Sequence, residues 1–243
     1  MSAKAERIMD LAGLPTTIIG PDDAPLTLVL LHGYAMRPSD LSPFAHSIGV
    51  PALFLLPQGP VISPVGGHAW WTVDLGAREA AIAAGPRDLA DDYPRELPAA
   101  RERLGRFLDA AAARFRPRQL VLGGFSQGAM LSLDWVLRGR PMGPPGWPMG
   151  PPGSRQASAL VLLSASLLAM SDWLPCRDRL QNLPVFVSHG AIDPDLAFAA
   201  GERVRDFVLE SGARGTWVPF DGGHEIPLVV WRGLRKFLAA LLI

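Results

Sequence analysis

Cysteine is almost missing from the 243-residue chain. Cys176 stands alone, so no internal disulfide can form and folding needs no oxidising compartment. A charge excess is missing too: 23 basic residues meet 23 acidic ones, and the formal net charge is zero. Nothing in that balance supplies the electrostatic footprint of a nucleic-acid or anionic-membrane binder, and no nucleic-acid partner is expected. Long apolar runs are also absent. "LTLVLL" (26–31) and "ALVLLSASLLAM" (159–170) fall well short of a bilayer span, so no integral membrane segment is expected. The opening "MSAKAERIMDLAGLP" mixes charges into its apolar residues and lacks the continuous apolar core of a secretory signal. A soluble cytoplasmic protein is the expectation.

What the chain does have is core-forming material. Hydrophobic residues make up 49% of it, and its length suits one α/β domain spanning 1–243. "LTLVLL" (26–31), "ALFLL" (52–56), "QLVLGGF" (119–125), "ALVLLSA" (159–165) and "PVFVSHG" (184–190) read as buried strands, and "TWVPF" (216–220) as one nearer an edge. Helical spacing fills the intervals. Leu97, Leu104, Phe107 and Leu108 mark a helix within 94–115; Phe198, Val204, Phe207 and Val208 mark another within 196–211, with Gly212 as its stop. The tail "PLVVWRGLRKFLAALLI" reads as a last amphipathic helix. Alternation of this kind predicts an α/β fold, a mostly parallel central sheet flanked by helices.

Two segments break the rhythm. Residues 57–92 form a long Gly-, Pro- and Ala-rich connection containing "GGHAWWTVDLG". Residues 141–153 repeat "PMGPPGW" as "PMGPPGS", within a Pro/Gly-rich loop insertion at about 139–157. Proline and glycine at that density exclude helix and sheet.

"GFSQG" (124–128) matches G-x-S-x-G. The pentapeptide alone is weak, but a strand pattern precedes it and a helix pattern, "QGAMLSLDWVLR", follows. That context marks a nucleophile elbow with Ser126 as nucleophile. A serine hydroxyl needs a base. Of five histidines, His32 and His189 sit at strand ends and read as loop organisers, while His46 and His68 read as surface or packing residues. His224, in "FDGGHEIP", follows the last strand on a Gly-rich turn and is the candidate base. Asp193 in "SHGAIDPDLAF" is the candidate orienting carboxylate; Asp195 reads as a helix N-cap and Asp221 as a solvated turn residue. The order Ser126, Asp193, His224 is that of α/β-hydrolases. Oxyanion donors would be the backbone N–H groups of Gln127, directly after the nucleophile, and Tyr34 in "LLHGYAM" (30–36).

"LHGY…SDL" (31–41), "LVLGGFSQGAMLSL" (120–133), "SHGAIDPDL" (188–196) and "GGH" (222–224) together resemble the phospholipase/carboxylesterase family, which contains acyl-protein thioesterases and bacterial carboxylesterases. The resemblance covers nearly the whole chain. It implies an α/β-hydrolase fold without a large cap domain, no cofactor and no metal, a Ser126–Asp193–His224 triad, and an oxyanion hole at Tyr34 and Gln127. "HAWW" (68–71) is similar to a family stretch that places a tryptophan near the acyl pocket; Trp70, Trp71 and Leu75 are the expected substrate-binding wall. Ala35 stands where the family usually has glycine, Leu196-Ala197 where it often has Val-Pro, and the Pro/Gly segment is an insertion. The implied activity is cleavage of carboxylic esters, the partner being a small-molecule ester, and the apolar wall at Trp70, Trp71 and Leu75 points to short to medium acyl chains. An acyl-thioesterase or a lysophospholipase would use the same triad, and a non-catalytic scaffold of the same fold is the alternative of another class. Oligomeric state stays open, a homodimer among the options.

Overall fold

The structure, a computed structural model, describes residues 6–139 and 157–243. Its strands are β1 (Glu6–Leu11), β2 (Leu14–Ile19), β3 (Leu26–Leu31), β4 (Ala52–Pro57), β5 (Val61–Ile62), β6 (His68–Ala69), β7 (Gln119–Phe125), β8 (Ala159–Leu163), β9 (Pro184–Gly190) and β10 (Arg214–Phe220). Its helices are α1 (Ser42–Ser47), α2 (Leu75–Ala84), α3 (Leu97–Phe115), α4 (Gln127–Arg138), α5 (Met170–Trp173), α6 (Phe198–Glu210) and α7 (Leu228–Ala240). Eight strands form one sheet in the order β1-β2-β4-β3-β7-β8-β9-β10. From β4 to β10 all pairings are parallel; β1–β2 and β2–β4 are antiparallel. The expected α/β architecture, a mostly parallel sheet flanked by helices, is what the chain adopts.

The central strands carry apolar side chains on both faces because both faces are covered. One core layer packs α3, α4 and α6 against the sheet through Leu104, Phe107, Leu131, Val204 and Val208. The other packs α1 and α7 through Ala45, Val230, Trp231 and Leu234, with Phe44 and Trp231 ring to ring at 4.8 Å. Strand β10 lies at an edge, where Pro219 removes no needed donor.

The other edge holds the β1–β2 hairpin. Ala12 and Gly13 turn it, both at positive φ (53° and 82°), as a two-residue hairpin loop requires. No helix among the described residues is long and apolar enough to cross a membrane. The Pro/Gly repeat 141–153 lies outside the described residues. Its described flanks sit at the N-terminal edge of the sheet: Gly139 follows α4, and Ser158 N–H donates to Leu120 O at the start of β7 (2.7 Å). Twelve helical residues, about 18 Å of rise, separate that edge from Ser126.

Candidate active site

Strand β7 runs into Ser126 and α4 begins at the next residue. The turn is so tight that Ser126 adopts φ +52°, ψ −119°, a region that a residue with a side chain occupies at a cost of about 1–3 kcal/mol. The flanking glycines make this geometry accessible. A Cβ on Gly124 would sit 2.5 Å from Leu31 O, and one on Gly128 would overlap the carbonyl oxygens of Leu31 and His32. The elbow therefore exists only where β3 and β7 run in contact. Ser126 N–H donates to Leu163 O on β8 (2.8 Å), and Ser126 O accepts from Met130 N–H as α4 starts (3.0 Å).

The loop after β3 approaches the same point. His32 is fully buried: Nδ1–H donates to Gly33 O (2.7 Å) and Nε2 accepts from Gly59 N–H (2.9 Å). Burial pushes its pKa down to about 4, against the opposing pull of the Gly33 carbonyl, so it is a neutral strut. Ala35, at the usual glycine position, holds a left-handed φ of 60°. Among the described residues neither the Tyr34 nor the Gln127 N–H has a hydrogen-bond partner. For Gln127 this follows from its place at the first position of α4, where no intrahelical acceptor exists. Its side chain is tied elsewhere: Oε1 accepts from Trp70 N–H (2.7 Å) and Nε2 donates to Trp71 O (3.0 Å).

Asp193 and His224 come from adjacent strands whose ends stay zipped together. Ala191 N–H donates to Phe220 O (2.8 Å) and Ile192 N–H to Gly222 O (3.1 Å). This brings His224 Nδ1 to 2.6 Å from Asp193 Oδ2. Asp193 is 2% exposed, and its Oδ1 accepts from Asp195 N–H (2.8 Å) and Leu196 N–H (2.9 Å). Burial alone would raise its pKa; the His224 hydrogen bond and charge and the two amides outweigh that and lower it below the usual 3.8. An ionised Asp193 accepts a hydrogen bond from Nδ1–H of His224, which keeps the proton on Nδ1 and leaves Nε2 as the basic nitrogen. The imidazole rests on Phe125, with ring centres 4.7 Å apart.

Ser126 and His224 line one cavity of about 400 Å³, walled on its apolar side by Met36, Phe44, Phe125 and Ile226. Arg78, Asp40 and Glu225 supply its charged side. No hydrogen bond joins Ser126 Oγ to His224 among the described residues; in unliganded sites such contacts are often long and tighten around substrate.

The structure thus gathers Ser126, Asp193, His224, Tyr34 and Gln127 at one sheet edge, and it corrects two other expectations. Trp70 and Trp71 do not line this cavity. They are 2% and 5% exposed in the core, where Trp70 Nε1 donates to His32 O (2.9 Å). Leu75 opens α2 and lines neither this cavity nor the groove beside that helix. Asp195 is no N-cap, since Ala197 holds that position; its carboxylate instead pairs with Arg78 and Arg87. Met36, Phe44, Ile226 and Arg78 line the cavity from segments distant in sequence, and no local pattern marks them. Asp221 stays exposed on its turn.

The chain is similar to known proteins. A model of the phospholipase/carboxylesterase family matches residues 15–242. Acyl-protein thioesterase 1 of Mycosarcoma maydis is 27% identical over 221 residues, covering 80% of this chain and 81% of that protein. Among solved structures, esterase PE8 superposes with a TM-score of 0.72 at 21% identity, covering 94% of this chain and 99% of that one. Acyl-protein thioesterase 2 of Zea mays superposes at 0.68 and 22% identity, with 94% and 99% covered.

Proposed function

The chain belongs to the phospholipase/carboxylesterase family, and from that premise we propose that it is a serine hydrolase cleaving carboxylic esters of short to medium acyl chains, with 1–243 as a single hydrolase domain. The observation that carries the reading is the pairing of a strained elbow serine with a part-buried Asp193–His224 hydrogen bond of 2.6 Å, Ser126 and His224 both lining one cavity.

In this mechanism His224 Nε2 takes the Ser126 hydroxyl proton as Oγ attacks the ester carbonyl carbon. Charge moves onto the carbonyl oxygen, where the Tyr34 and Gln127 N–H groups receive it; such a donor contributes roughly 3 kcal/mol to lowering the barrier. Asp193 stabilises the imidazolium without being protonated itself. Collapse expels the alcohol, which takes its proton from His224, and leaves acyl-Ser126. Water then gives a proton to His224 and attacks the acyl carbon, releasing the carboxylic acid and free Ser126. The apolar walls at Met36, Phe44, Phe125 and Ile226 suit the acyl chain, and the cavity volume favours the shorter members of a series.

An acyl-thioester would pass through the same tetrahedral intermediate, and the similarity to named acyl-protein thioesterases favours this second reading. Initial rates on p-nitrophenyl esters from acetyl to palmitoyl, beside matched thioesters, separate the two. Ser126→Ala is expected to abolish turnover of whichever class is used. A Ser126→Ala protein as active as wild type would remove the nucleophile assignment.

A further inference from the structure

A histidine unused by this mechanism sits behind the Asp193–His224 pair. His189, one residue before the end of β9, is fully buried. Its Nε2 lies 3.0 Å from Leu196 O and 3.5 Å from Asp193 Oδ2. Both are acceptors, so Nε2 carries the proton and donates. On the opposite side Nδ1 is buried with no partner among the described residues. Gly201 of α6 explains why: it presses on that side of the ring, and a Cβ there would overlap Cγ and Nδ1. Phe198 of the same helix meets the ring edge-on, with centres 6.4 Å apart, and Pro219 is its neighbour on β10. The titratable groups facing His189 are Asp193 and His224. An imidazolium here would bury an N–H with nothing to accept it, and burial lowers the His189 pKa accordingly, although the Leu196 carbonyl and Asp193 oppose the shift.

We infer that neutral His189 is a positioning residue for Asp193, acting through Leu196. The ring holds Leu196 by its carbonyl, and the Leu196 N–H, with that of Asp195, occupies Asp193 Oδ1. That leaves Oδ2 for His224 alone among strong donors. Without the His189 N–H, Leu196 loses its inner anchor, the carboxylate is free to turn, and His224 loses its fixed tautomer and heading. The expected signature is a fall in kcat with KM held, because the cavity wall is untouched. This inference rests on the triad reading above.

The test compares His189→Leu, His189→Gln and His189→Asn with wild type on one p-nitrophenyl ester. Glutamine can present an N–H where Nε2 was; asparagine reaches only the Nδ1 side. Leu and Asn are expected to lower kcat about tenfold to hundredfold, the range of a misplaced catalytic group, while Gln restores it to within about threefold. The downfield proton resonance of the His224 Nδ1–H···Asp193 bond should shift or vanish in the Leu and Asn proteins and persist in Gln. Where the leucine protein fails to fold, the Asn–Gln pair decides. Wild-type kcat and an unmoved downfield resonance in His189→Asn would overturn the inference. Ser126→Ala, measured alongside, separates the failures: if it is inactive the nucleophile assignment stands whatever His189 does, and if it is active the triad itself falls.

Discussion

The segment 193–197 and helix α2 stand on either side of one ion pair, and they are built in opposite ways. In the first, Asp193 and Leu196 are 2% and 1% exposed, and the peptide groups are held from several directions. Asp195 and Leu196 N–H groups serve Asp193, Ala197 N–H donates to Arg87 O (2.8 Å), and Arg87 N–H donates to Asp195 O (2.9 Å). Helix α2 buries none of its ten residues; Asp74 caps its start (Ala77 N–H at 2.9 Å) and Gly85, at φ +138°, ends it. Arg78 reaches from α2 to Asp195 and joins the two. Proton transfer needs a carboxylate held within a few tenths of an ångström, whereas a wall facing substrate of varying length gains from low local stability. The family's usual Val-Pro is Leu196-Ala197 here, and Ala197 supplies an N–H to Arg87 that a proline could not.

Substitution at the rigid member should cost most. Asp193→Asn is expected to lower kcat about 10⁴-fold, because an amide favours the wrong His224 tautomer. It should also alter acid unfolding. The folded Asp193 pKa lies below the unfolded 3.8, so its contribution is present above 3.8 and lost as pH falls through the folded value. Asp193→Asn should flatten that part of the stability–pH curve, measured by denaturant unfolding between neutral pH and pH 2. An unchanged curve would mean the carboxylate gains nothing from its partners.

Arg78→Ala should act on the loose member alone. Arg87 keeps Asp195 in place, so kcat is expected to hold within about twofold while KM rises a few-fold. Stability should fall by about 1 kcal/mol or less, as for a pair open to solvent on one side. Amide hydrogen exchange sharpens the contrast: α2 should exchange well before 195–197 in wild type, and Arg78→Ala should widen the gap. Equal exchange in both segments would dissolve the distinction. The smallest effect is expected furthest away, where deletion of 141–152 should leave ester turnover within a few-fold, because its flanks sit at the sheet edge opposite Ser126. A collapse in turnover with an intact fold would reverse that placement.

Much of this architecture can be read from residue order. Strands buried on both faces are written as unbroken apolar runs, so β3, β4, β7, β8 and β9 are visible beforehand, and the edge strand β10 shows through its shorter run "TWVPF". The β1 segment "ERIMDL" is not, because it lies on an edge with most of its side chains in water and carries no such run. Ser126, Asp193 and His224 are legible because each follows a strand at a turn with its own glycine, proline or aspartate signature. The cavity wall is legible only in part. Adjacent tryptophans look alike whether they face a pocket or the core; here the Trp70 indole N–H finds the His32 carbonyl and the ring goes inside. Met36 and Phe44, in the connection after β3, meet Ile226, in the connection after β10, only once both have closed over the sheet edge. Asp195 beside Pro194 resembles a cap, yet two guanidinium groups from a segment more than a hundred residues earlier compete for it and win.

The strained elbow at Ser126 can also serve as a reporter of the fold. Its backbone depends on the Gly124–Leu31 and Gly128–Leu31 approaches, so it can persist only while β3 and β7 remain in register. A fluorophosphonate that labels Ser126 covalently would thereby report the integrity of the sheet's centre. The rate of labelling across a denaturant series becomes a local thermometer for the core, read from one atom and needing no substrate at all.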